Sequence, residues 1–90
     1  MPQISVTKEQ VAENMQDVVC RTEMEFDKPV CCVTVRMKNG FTLRESTTCV
    51  DPSAYDEKIG LEICLRKIED RIWYLLGFLL QENLYQAGRK

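Results

Sequence analysis

Residues 51–86 read DPSAYDEKIGLEICLRKIEDRIWYLLGFLLQENLYQ, and this stretch decides the fold. Asp51 is a good helix cap, and Pro52 follows at the first helical position, where its missing N–H costs nothing. No further proline interrupts the segment, Gly60 and Gly77 are its only glycines, and Gly88 stands just past its end. A helical region is therefore expected over about 52–86, as one long helix or as a hairpin bent near Gly77. Leu61, Leu65, Ile68, Ile72, Leu75 and Leu79 are spaced 4-3-4-3-4, which is a heptad seam. Ile59, Ile63, Trp73, Leu76, Phe78, Leu80 and Leu84 lie off that seam, so from Ile72 to Leu80 the helix is apolar nearly all round. Such a helix has to be covered on every side.

The chain upstream offers a small sheet to cover it. A strand is expected from Phe41 to about Cys49, preceded by the turn residues Lys38-Asn39-Gly40. A two-residue Asn39-Gly40 loop would set Val35 against Arg44. A three-residue loop, Lys38 to Gly40, sets Met37 against Phe41 and Val35 against Leu43, with Gly40 in the left-handed position. The second register keeps one face apolar, and it gathers Thr34, Arg36, Thr42 and Arg44 on the opposite face. Before it come a strand over about 30–37 and, ahead of the turn residues Asp27-Lys28-Pro29, a strand over about 19–26. In that first strand Cys20, Thr22, Met24 and Phe26 alternate with Arg21, Glu23 and Glu25. Further back, Thr7 and Gln10 form a capping box, and Val11, Met15 and Val18 share one face of a helix expected over about 7–18. The fold class expected is α+β: an N-terminal helix, a three-stranded antiparallel sheet over about 19–26, 30–37 and 41–49, and a long C-terminal helix or helical hairpin forming an oligomer seam.

Ninety residues make one domain, 1–90, and a chain this short buries a modest core. Five cysteines, Cys20, Cys31, Cys32, Cys49 and Cys64, show no paired spacing, and no secretory leader is apparent, so reduced, buried thiols are expected. There is no histidine, and Cys31 and Cys32 would point to opposite faces of a strand, so neither a metal nor any other cofactor is expected. The missing core is expected to come from a second copy, in a dimer or higher assembly. A net charge of −2 without a basic stripe argues against binding DNA or RNA. An apolar run of nine residues, Ile72 to Leu80, is too short to span a membrane.

Lack of histidine also removes the usual general base, so the chain is not expected to be an enzyme and no catalytic residue is assigned. Four scattered glycines cannot build a phosphate-cradling loop. Guanidinium groups could hold phosphate instead, in a two-pronged geometry. The candidates are Arg36 and Arg44 on one sheet face and Arg66 and Arg71 on the helix, with Phe41 as an aromatic platform for a base. For Arg66 the plainer reading is pairing with Glu62 and Asp70, each four residues away.

Asn39-Gly40-Phe41, Glu45-Ser46, Cys49-Val50-Asp51-Pro52, Tyr55-Asp56, Ile59-Gly60, Ile72-Trp73 and Leu76-Gly77-Phe78-Leu79-Leu80 occur in an order and spacing that resemble a family of small phage and prophage proteins typified by an early gene product of phage N4. In layout the chain also resembles the phage Thoeris anti-defence proteins of the first type. That resemblance implies a molecular sponge in the host bacterial cytoplasm, assembled through its C-terminal helices into dimers and rings up to a hexamer. Such sponges bind cyclic ADP-ribose isomers or cyclic oligonucleotides made by host immune enzymes and sequester them uncleaved. The C-terminal helix departs from the sponge pattern, with Gln81 and Asn83 where arginines would be expected. The candidate ligand residues therefore rest on chemistry. The alternative is a small homo-oligomer that binds and modulates a host protein.

Overall fold

The computed structural model describes residues 5–88. A short helix α1 (Lys8–Glu13) leads into three strands, β1 (Asp17–Glu25), β2 (Lys28–Arg36) and β3 (Thr42–Thr48). A single 3₁₀ turn, Pro52–Ala54, precedes one long helix, α2 (Glu57–Gln86). The sheet is antiparallel in the order β1-β2-β3. The architecture is α+β, as the sequence implies.

Each element starts and stops for a local reason. Thr7 and Gln10 form the expected reciprocal cap at the start of α1. The helix ends at Glu13 and does not run on to Val18. Asn14 closes it, donating from Nδ2 to the Gln10 carbonyl and accepting the Lys38 N–H at Oδ1. Val18 is drawn into β1 instead, because nine residues of β1 find ladder partners on β2. The first turn also differs from expectation. Phe26 and Asp27 form it, both at positive φ (52° and 63°), and Lys28 and Pro29 already belong to β2. With both residues left-handed this is a type I′ turn, whose twist matches that of the strands. The second hairpin has the expected three-residue loop. Met37 N–H donates to the Phe41 carbonyl at 2.7 Å, Val35 faces Leu43, and Gly40 sits at φ 92°.

The C-terminal region is one helix through Gly77. It begins later than Pro52, because Tyr55 is extended and Asp56 caps a fresh start by accepting from Lys58 N–H. Its first half lies across β2 and β3, where Cys31, Val33, Val35, Met37 and Leu43 meet Cys64, Ile68 and Ile72 with Val11 at one end. Gly60 permits the close approach: a Cβ there would lie 2.8 Å from Cys31 Cβ.

Most of the heptad row packs within the chain itself. Ile68 and Ile72 are fully buried against the chain's own sheet, and Leu61, Leu65 and Leu75 pack around the same core. Of the six seam residues only Leu79 is exposed. The sheet's apolar row supplies the same complementary surface that a partner helix would, and it is tethered to α2 by a short connection. What remains uncovered is elsewhere on the helix. Tyr74, Phe78 and Tyr85 are exposed, and beyond Leu76 the helix runs on for ten residues to Gln86.

Candidate functional site

An apolar recess that also carries polar groups lies where the β2–β3 hairpin meets α2. It has a volume of about 430 Å³, walled by Phe41, Leu75, Leu76, Phe78 and Leu79 over Met37, with Asn14, Lys38 and Asn39 at its rim. The three-residue loop creates it. By placing Met37 opposite Phe41, the loop turns Phe41 toward the helix side of the sheet while leaving it half exposed. Asn39 Oδ1 accepts the Phe41 N–H at 3.0 Å and fixes that segment. Lys38 is held at the rim by Glu13, at 3.2 Å. Two aromatic side chains, an aliphatic floor and one cation make a recess of the size and composition that small ligands occupy.

The structure scatters the five candidate ligand residues. Phe41 is in the recess. Arg36 is across the hairpin, paired with Asp17 beside a shallow hollow of about 380 Å³ that Lys38 and Gly40 also line. Arg44 shares the open sheet face with Arg36, as its register requires, and donates to Thr34 Oγ1 at 3.1 Å. Arg71 does not join them. Its Nη1 bonds the Arg44 carbonyl at 3.1 Å and Glu45 Oε2 at 3.0 Å along the outer edge of β3. Arg66 is exposed and lines none of these recesses. Among the described residues it forms no ion pair, so the expected pairs with Glu62 and Asp70 are absent. Arg66 also stands apart from Arg71, because five residues along a helix turn its side chain more than a third of a turn away.

Sequence reasoning does not single out Lys38, and it offers Phe78 as a face for a base only behind a role in the core. Lys38 reads as a turn residue, and only the hairpin's docking against α2 brings it to a recess. Phe78 reads as core, yet it is 67 % exposed because the sheet does not extend over that end of the helix.

Two other clusters complete the polar inventory. Thr22 Oγ1 bonds Tyr55 OH at 2.7 Å and Glu57 Oε2 at 2.6 Å, tying β1 to the start of α2. Burial raises the Tyr55 hydroxyl's pKa, and the Thr22 bond works against that. Beneath them Cys20 Sγ lies 3.8 Å from Cys31 Sγ, and Cys64 Sγ lies 3.7 Å from the Cys31 carbonyl. Burial, reinforced by the neighbouring Cys31 thiol, pushes Cys20 up to about 11, and burial raises Cys64 too. Cys31 points into the core and Cys32 to the open face, so they cannot grip one ion together. Among the described residues no cluster of His, Cys, Asp or Glu could hold a metal. No helix of the described residues is long and apolar enough to cross a membrane.

A family model described as the phage protein (N4 Gp49/phage Sf6 gene 66) family matches residues 6–84. Neither a curated protein nor a solved structure matches the chain.

Proposed function

Because the chain belongs to the N4 Gp49/phage Sf6 gene 66 family of phage proteins, we propose that it acts in the infected host's cytoplasm as an anti-defence sponge, sequestering a cyclic nucleotide immune signal without cleaving it. The observation that carries this reading is the recess between Phe41 and Phe78, with Lys38 at its rim. A nucleotide signal joins a flat aromatic base to phosphate. Aromatic side chains provide faces for the base, and an ammonium or guanidinium provides charge for the phosphate. The resemblance to Thoeris anti-defence proteins points the same way, toward cyclic ADP-ribose isomers first and cyclic oligonucleotides second. Self-association belongs to this reading, since Phe78, Leu79 and Tyr85 leave the projecting end of α2 apolar. The hypothesis of binding a host protein draws on the same exposed residues, but no charged pattern or groove there specifies such a partner.

The test is calorimetric titration with cyclic ADP-ribose isomers, cyclic dinucleotides and cyclic trinucleotides. Protein loaded with the bound compound is then denatured and the compound recovered by chromatography. The expected result is saturable binding by one class, recovery of the compound intact, and at least tenfold weaker binding in Phe41→Ala or Lys38→Ala. Absence of binding across the panel by folded protein would overturn the reading, and recovery of a cleaved product would replace the sponge with an enzyme.

A further inference from the structure

The two edges of the sheet are finished differently. On β3, Lys67 Nζ donates to the Ser46 carbonyl at 3.1 Å and Arg71 to the Arg44 carbonyl at 3.1 Å. These are the outward-pointing carbonyls of that strand, so the chain's own helix closes the β3 edge. Among the described residues β1 has no such cover. Its nine residues are exposed from end to end except for Cys20, and they include Val18, Val19 and Met24 at 45, 53 and 65 % exposure. The two-residue Phe26–Asp27 turn makes Glu25 and Lys28 a hydrogen-bonded pair. The backbone groups of Glu23, Arg21 and Val19 therefore point into the sheet. Those of Met24, Thr22, Cys20 and Val18 point outward, and among the described residues nothing bonds to them. A long uncovered edge is a template for another strand.

We infer that β1 pairs with β1 of a second copy, antiparallel about a two-fold axis at Thr22, joining two three-stranded sheets into one of six. Charge selects that register. Centring the pair on Arg21 sets Arg21 against Arg21 and Asp17 against Glu25. Centring it on Cys20 sets Asp17 against Glu23. Centring it on Thr22 sets Arg21 against Glu23 on both sides of the axis and Cys20 against Met24, and from residue 18 to residue 26 no like charges face each other; only Asp17, already paired with Arg36, comes beside Asp27 of the turn. It also brings the Phe26 turn beside Val18 of the second copy. Phe26 is 97 % exposed and left-handed, a conformation that a bulky side chain adopts at a cost.

The arrangement fits sterically. The two-fold axis is perpendicular to the sheet, so both α2 helices lie on one face, each over its own β2 and β3. With strands about 4.8 Å apart, the two helix axes stand about 19 Å from each other, and helices about 10–12 Å across clear one another. This surface is separate from the α2 end invoked above, and it holds whether or not a nucleotide binds.

The experiment is sedimentation equilibrium combined with amide hydrogen exchange on the full chain without ligand. A concentration-dependent dimer is expected in which the Cys20, Thr22 and Met24 amides exchange at least tenfold more slowly than in dilute monomer. Met24→Pro removes only an outward N–H, which an edge strand tolerates. It should weaken the dimer at least tenfold and leave the monomer's circular dichroism unchanged. Arg21→Glu and Glu23→Arg should each weaken the dimer, and the double exchange should restore it. A monomer at all concentrations overturns the inference. So does a dimer in which those amides exchange freely or in which the charge exchange has no effect, and neither outcome bears on nucleotide titration.

Discussion

Gly60 and Gly77 occupy the same helix for opposite reasons. A Cβ at Gly60 would come within 2.8 Å of Cys31 Cβ and 3.0 Å of its Sγ, whereas one at Gly77 would meet nothing within 4 Å. Gly60→Ala should therefore destabilise the fold by about 1–3 kcal/mol through overpacking. Gly77→Ala should stabilise it by about 1 kcal/mol, the propensity cost of glycine inside a helix. Urea unfolding of dilute protein measures both, and a Gly60→Ala protein as stable as the parent would refute the close packing of α2 on β2. Cys20 gives a pH prediction. Its thiol is raised from an ordinary 9.0 to about 11, so the folded chain keeps a proton that the unfolded chain releases. The folded state then binds more protons than the unfolded one, and stability falls as pH rises. Its contribution is complete below about pH 9 and lost progressively toward about pH 11. Melting temperatures across that range should decline, and Cys20→Ala should flatten the decline.

Among the elements, α1 depends most on its cap. Six residues are too few to sustain a helix by propensity alone, so it rests on the Thr7–Gln10 box and on Val11 in the core. Thr7→Ala should cost about 1 kcal/mol in chemical denaturation and speed exchange of the α1 amides before those of α2. β3 depends on α2 in another way. Arg71 both neutralises Glu45 and covers an edge carbonyl, so this arginine is spent on the fold. Its guanidinium would have to leave two partners to reach a ligand. β1 depends on β2 alone for its ladder, which is why its side chains are exposed although the alternation of Cys20, Thr22 and Met24 suggests half-burial.

For the whole molecule, α2 sets the shape. Thirty residues at 1.5 Å each make a rod of about 45 Å, longer than the strands it crosses, and the molecule measures 55 × 21 × 20 Å. The overhang leaves Phe78 free to wall the recess with Phe41. If that recess holds a nucleotide, ligand at 100 times its dissociation constant should stabilise the protein by about 2.7 kcal/mol, a rise of several degrees in melting temperature for a domain this small. Phe41→Ala should cut that rise to about half or less while leaving the unliganded melting temperature nearly unchanged, because Phe41 is half exposed.

The sequence by itself determined what depends on neighbours along the chain. Alternation placed the first two strands, turn chemistry bounded the third, Lys38-Asn39-Gly40 set the register of the second hairpin, and Thr7 marked the start of α1. That register puts Arg36 and Arg44 on one face, because successive side chains on a strand must alternate. Tertiary structure decided which apolar face met which. The spacing of Leu61 to Leu79 is satisfied equally by a partner helix and by a sheet, and the chain's own sheet took it because a tethered surface needs no second molecule. It also decided where the arginines went. Sequence gives their spacing along α2, but only the crossing of α2 over β3 sends Arg71 to an edge carbonyl, leaves Arg66 in solvent and brings Lys38 to the rim of the recess.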